Sequence, residues 1–152
     1  AQQGRTCALD DAAANDGFNL VTQQTAEWNA EKAQQIVQSV IDAGTPFNVI
    51  YAENDDMAKG AVAALDKANI SHGVGKDVIV MGFDCNKWAL EELKAGNWNY
   101  DGQCNPFQAS YIDEIIKKLE NGETISEKTI IMDEKGFDAT TITQEDVDNY
   151  GI

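Results

Sequence analysis

Residues 47–84 read FNVIYAENDDMAKGAVAALDKANISHGVGKDVIVMGFD, which is strand, helix and strand in immediate succession. FNVIYA at 47–52 is almost wholly apolar, the pattern of a strand covered on both faces. Ala58, Ala61, Val62 and Leu65 then share one face of a helix over 55–68. DVIVMGF at 77–83 is rich in β-branched and apolar residues and returns to strand. A helix of that length between two buried strands implies a right-handed crossover and parallel pairing.

The same alternation extends in both directions. Upstream, ALDDAAA at 8–14 reads as helix closed by Gly17 and Phe18, with the chain beginning partway through it. Residues 20–24 form a short strand, and 30–43 a helix carrying Ala33, Ile36, Val37, Val40 and Ile41 on one side. Downstream, WALEELKAG at 88–96 is a helix ending at Gly96 and NWNYDG at 97–102 a strand. Asn105 and Pro106 then suit the cap and first position of another helix, whose core face is Ala109, Ile112, Ile116 and Leu119. TIIMDEKGFDATTITQEDVDNYGI at 129–152 reads as one short strand, a turn around Gly136 and a polar ending, a return path and not another repeat. The fold class is α/β: three layers around a mostly parallel, doubly wound sheet.

The 152 residues suffice for one core. No apolar run approaches the roughly 20 residues of a membrane span. With 26 acidic against 11 basic residues the net charge is -15, which repels nucleic acid and anionic lipid and favours a neutral or cationic ligand. Cys7, Cys85 and Cys104 have neither the number of a disulfide framework nor the spacing of a zinc site. The chain opens at Ala1-Gln2-Gln3 without an initiator methionine, so an upstream portion is expected.

In an open parallel sheet, ligands sit beyond the carboxyl ends of the strands. There stand Thr25-Ala26-Glu27-Trp28, Glu53-Asn54-Asp55-Asp56, Asp84-Cys85-Asn86 and Gln103-Cys104-Asn105. Short carboxylates and amides with one large aromatic suit a sugar: planar groups bind adjacent hydroxyls in pairs, and an aromatic face covers the C–H side of the ring. Each residue also has a structural reading. Asn54 and Asp84 are typical helix caps, Trp28 could staple its helix to the sheet, and Cys104 could be an inert buried thiol.

The run NDDMAKGAVAAL at 54–65 with VIVMGFD at 78–84 resembles the second lobe of the ribose/galactose-type periplasmic sugar-binding proteins. QQTAEWNAEKA at 23–33 and the ending DATTITQEDVDNY extend the likeness over nearly the whole chain. The resemblance implies the periplasmic-binding-protein-like fold of type I, one lobe only: residues 1–123 the C-terminal sugar-binding lobe, truncated before its first strand, and 124–152 its hinge or return strand and tail. It implies sugar contacts from Asn54 and Asp84, a stacking ring at Trp28, and an arginine at Arg5, where the surrounding helix departs from the usual Arg-x-x-Gly-Phe pattern. A further polar ligand group falls at Cys104, as in a galactofuranose-binding branch with Cys-Asn-Pro, with Gln103 or Asn105 as substitutes. Cys85 and Cys104 follow consecutive neighbouring strands, which leaves either a disulfide or two free thiols.

What the resemblance implies functionally is the substrate-binding component of a bacterial ABC transporter. It would clamp a pentose or hexose between this lobe and a missing N-terminal lobe, present it to a permease, and need no cofactor. Its place would be extracytoplasmic, either periplasmic or lipid-anchored outside a Gram-positive membrane. The alternative is the effector domain of a lactose-repressor-type transcription regulator, which the acidity and the tail disfavour. An enzyme is the third class. The Asp55-Asp56 pair that suggests it reads more simply as a cap and a solvated carboxylate. GVGK at 73–76 precedes a strand and opens no helix, so it is no phosphate loop. His72 lies at the opposite end of the sheet from the polar cluster.

Overall fold

The computed structural model describes residues 2–152. In chain order these are α1 (Gln2–Asn15), α2 (Ala30–Asp42), β1 (Val49–Tyr51), α3 (Asp55–Lys67), β2 (Ile79–Asp84), α4 (Lys87–Lys94), β3 (Tyr100–Gln103), α5 (Ala109–Glu120), β4 (Gly136–Asp138) and α6 (Gln144–Tyr150). The sheet order is β1-β2-β3-β4. The first three strands are parallel and β4 runs antiparallel to β3.

Side-chain alternation along β2 sorts the helices into layers. Gly82 faces α3, where an added Cβ would lie 2.7 Å from Asp55 Oδ1, and Phe83 points to the opposite face, under Arg5 of α1. α4 lies on the α3 side: its Trp88 meets Trp98 edge-on at 5.8 Å, and Lys59 of α3 sits 4.8 Å over the Trp88 ring. Leu65, Val80, Leu90, Leu93, Trp98 and Val147 fill the core of that side. At about 1.5–3 kcal/mol per buried large apolar side chain, this face supplies most of the burial that holds the chain together. α2 packs tightly on α3 because position 60 is glycine: a Cβ there would collide with the backbone of Ala30.

The opposite face is thinly covered. α1 and α5 bury no residue, and Ile112, Ile116 and Leu119 are about half exposed although their spacing predicts a core face. Four local expectations change. Residues 20–24 are not a strand: they pair with no strand among the described residues. Among the described residues β1 pairs with β2 alone, and the space beyond its other edge is a cavity. Asn105 and Pro106 do not open α5, which begins at Ala109. Instead Asn105 Oδ1 accepts from the Phe107 N–H at 2.9 Å, a side-chain turn that competes with helix nucleation.

Gly136 opens β4 instead of making a turn, and it is glycine because a Cβ would strike the Tyr100 hydroxyl on β3. The polar ending folds as α6, with a capping box between Thr143 and Asp146 and Val147 fully buried. His72 hydrogen-bonds Asn97 O at 2.8 Å and Asp66 Oδ1 at 3.1 Å, at the amino end of β2 as its position implied.

Candidate functional site

Three loops leave the carboxyl ends of the parallel strands and converge. The β1 loop passes through Glu53 to Asn54, whose Oδ1 caps α3 by accepting from the Met57 N–H at 2.9 Å. The cap occupies the oxygen and leaves the amide nitrogen as donor. At the end of β2, Asp84 and Cys85 both take positive φ, 113° and 61°, which non-glycine residues adopt only where surroundings hold them. The C-terminal residue supplies part of that hold. Ile152 N–H donates to Cys85 O at 3.1 Å, and Lys87 N–H donates to Ile152 O at 3.0 Å. Strand register sets Asp84 directly beside Gln103 of β3.

Arg5 of α1 ties these loops together. Its Nη2 pairs with Asp84 Oδ1 at 2.9 Å, its Nη1 donates to Glu53 O, and its guanidinium lies 4.7 Å over the Phe83 ring. Tyr51 donates its hydroxyl to Arg5 O at 3.0 Å, and Thr6 donates to the Glu53 carboxylate. Phe83 can lie flat because Gly102 has no side chain; a Cβ there would come 2.6 Å from the ring. The Asp84 side chain remains 29% exposed, so the carboxylate is oriented by the arginine and still open to a ligand. An oriented carboxylate, a guanidinium and an aromatic face are the groups that bind vicinal hydroxyls.

The remaining candidates are spread around this centre. Trp28 is 45% exposed, with φ of 61°. It faces the same cavity as Thr6, Tyr51 and Glu53. Gln103 is buried and exchanges hydrogen bonds with the Lys135 backbone, at 2.8 Å and 3.2 Å. Asn105 N–H donates to Glu134 Oε1 at 2.9 Å. Cys104 is half-buried, and Cys85 and Cys104 are two free thiols. Burial among carboxyl groups pushes the Cys85 thiol upward, so it stays protonated.

Beneath the site lies a group that the sequence reading missed. Asp55 is fully buried, not solvated: Oδ2 accepts from both the backbone N–H and the side-chain amide of Asn86, at 2.8 Å and 3.0 Å. Asp101 of β3 is equally buried. Desolvation pushes both carboxyls upward, Asp55 to about 6 against the lowering hydrogen bonds from Asn86, and Asp101 to about 9 with the Asp55 carboxylate adding to the rise. Among the described residues, no group of three or more His, Cys, Asp or Glu could hold a metal ion.

The cavity beside β1 measures about 700 Å³. Its apolar wall includes Leu9, Phe18, Val21, Ile36, Val40 and Ile50. Among the described residues no helix is long and apolar enough to cross a membrane.

Fold and site together define one lobe of a parallel α/β type, with its polar cluster at the strand ends. The chain belongs to the periplasmic binding protein domain family, which matches residues 1–124. It is 31% identical to the fructose import binding protein FruE of Bifidobacterium longum over 86% of this chain and 38% of that protein. A solute-binding protein of Actinobacillus succinogenes with bound D-allose superposes with a TM-score of 0.75 at 29% identity, covering 94% of this chain and 48% of that one. A galactofuranose-binding protein shares the fold at a TM-score of 0.79 and 21% identity, over 93% of this chain and 48% of its own. The chain thus spans less than half the length of each.

Proposed function

We propose that residues 1–152 form the C-terminal lobe of a sugar-binding receptor of an ABC importer, a binding protein and not an enzyme. Residues 1–123 are the sugar-binding lobe; 124–152 carry the hinge or return strand and the tail. The observation that carries this reading is the Arg5–Asp84 pair at the carboxyl ends of the parallel strands, braced by Phe83 and still open to a ligand. Asp84 and Arg5 take adjacent hydroxyls, the Asn54 amide donates to a third, and Trp28 covers the apolar ring face. Gln103, Cys104 and Asn105 border the site on the β3 side.

The named relatives support a sugar as the ligand class: FruE is a fructose import binding protein, and the Actinobacillus protein holds D-allose. Neither the fold, the site nor the comparisons favour the transcription-regulator alternative. In the complete receptor a second lobe closes over the sugar and removes its hydroxyls from water on both sides, then docks on a permease outside the cytoplasm. The cavity is the place for a further strand. It lies between residues 20–24 and the edge of β1 that has no strand partner among the described residues, it is lined by apolar groups, and a strand there would be an interior strand of the sheet.

The test is a thermal-shift screen of the full-length protein against pentoses, hexoses and furanosides. A sugar that raises the melting temperature with a concentration dependence supports the reading. Silence across the panel in ligand-stripped, folded protein contradicts it.

A further inference from the structure

Asp55 and Asp101 come from different elements, α3 and β3, and meet across β2. They can meet because residue 82 of the intervening strand is glycine: Gly82 pairs with Asp101 in register, and a Cβ on it would lie 2.7 Å from Asp55 Oδ1. Asp55 Oδ1 and both Asp101 oxygens are buried and lack a hydrogen-bond donor among the described residues. Two ionised carboxylates side by side on this face, out of water, would repel each other strongly. One proton between them removes one charge and joins two of these three oxygens in a hydrogen bond.

We propose that Asp55 and Asp101 share a single proton at neutral pH and act as a positioning pair for the β2–α4 loop that carries Asp84. Through its Oδ2, Asp55 grips both the backbone and the side chain of Asn86, two residues beyond Asp84. Its position over Gly82 depends on Asp101 being held as a hydrogen-bond partner. Losing the shared proton drives the two carboxyls apart and releases the loop that aims Asp84 at the ligand. The role at the site rests on the sugar-binding reading; the shared proton does not.

The groups that bear on the pair are Asp84 and Cys85 at the end of β2, Asn86 beyond them, and Tyr100 beside Asp101 on β3. Arg5, the cation of this region, is engaged by Asp84, the Glu53 carbonyl and Phe83. Among the described residues no lysine or arginine hydrogen-bonds either carboxyl. Both carboxyls are raised in the folded state, so the folded protein binds more protons than the unfolded chain above about pH 4. Stability is fully present below that pH and declines as pH rises toward the raised native values. Other shifted carboxyls are lowered, and the tyrosine, lysine and thiol shifts are upward from alkaline values, so neither set titrates between about pH 5 and pH 8.

The test uses the full-length protein and Asp101→Asn, whose amide donates permanently to Asp55; Asp55→Asn repeats the comparison if the first variant does not fold. The wild type should show the infrared stretch of a protonated carboxyl at neutral pH, and its melting temperature should fall from about pH 5 to pH 8. In the variant the band disappears and the slope flattens. Sugar affinity should weaken on the alkaline side in the wild type and much less in the variant. A missing band, or parallel slopes in wild type and both variants, overturns the proposal. A protein that keeps band and slope yet binds no sugar upholds the pair and contradicts the sugar reading instead.

Discussion

Arg5 and Asp84, 79 residues apart in sequence, are joined at 2.9 Å with the guanidinium stacked on Phe83 next to the carboxylate. The pair links α1 to the end of β2. Arg5 is only 11% exposed, so removing either partner leaves a poorly solvated charge behind. Arg5→Ala should weaken sugar binding by about 2 kcal/mol, roughly 30-fold. Arg5→Lys should recover little, because an ammonium cannot reach Asp84 and the Glu53 carbonyl together and still stack on the ring. Titration calorimetry of both variants measures it, and lysine restoring full affinity would contradict the planar-contact role.

Trp28 presents a half-exposed ring. Trp28→Ala should therefore lower sugar affinity about tenfold while moving the melting temperature little. Equal losses of affinity and stability would show instead that the ring is part of the core.

The packing of α2 on α3 depends on Gly60. Gly60→Ala forces a methyl into the Ala30 backbone, which cannot rotate away as a side chain would. The expected cost is about 2 kcal/mol, or a melting temperature lower by roughly 4–8 °C, by calorimetry.

How far the sequence foretold this structure varies by element. β1, α3 and β2 are legible because their burial follows from periodicity within each segment. The segment at 20–24 has the composition of a strand and is not one, since a strand needs a neighbour and the sequence of the segment carries no information about that neighbour. Arg5 is placed by likeness and the structure brings it to Asp84, whereas its contacts with Phe83 and the Glu53 carbonyl go unread because nothing local marks them as its partners. Asp55 reads, with Asp56, as a cap and a solvated carboxylate. Its burial depends on Gly82 and Asp101, residues of two other strands, and only the register of the sheet brings them together.

Acid should loosen α6 only at the low end of the pH range. Hydrogen bonds from Lys135 and Thr143 lower the Asp146 carboxyl to about 2. Its contribution is fully present above the unfolded value near 4 and is lost as pH falls through about 2. Amide exchange in α6 should rise across that interval, and Asp146→Asn should remove the pH dependence there.

The cavity beside β1 makes a separate prediction. If a further strand fills this space in a longer protein, a fluorescent dye that binds apolar surface should bind the 152-residue chain and be largely excluded from that longer protein. Equal dye binding by both would contradict that placement.

The most direct test of the sugar-binding assignment is titration calorimetry of the full-length protein with the sugar that shifts its melting most, run in parallel on Asp84→Asn. The account predicts binding at micromolar Kd or tighter, about -8 kcal/mol or better, lost by tenfold or more in the variant with its fold intact. Undiminished affinity in Asp84→Asn would contradict it.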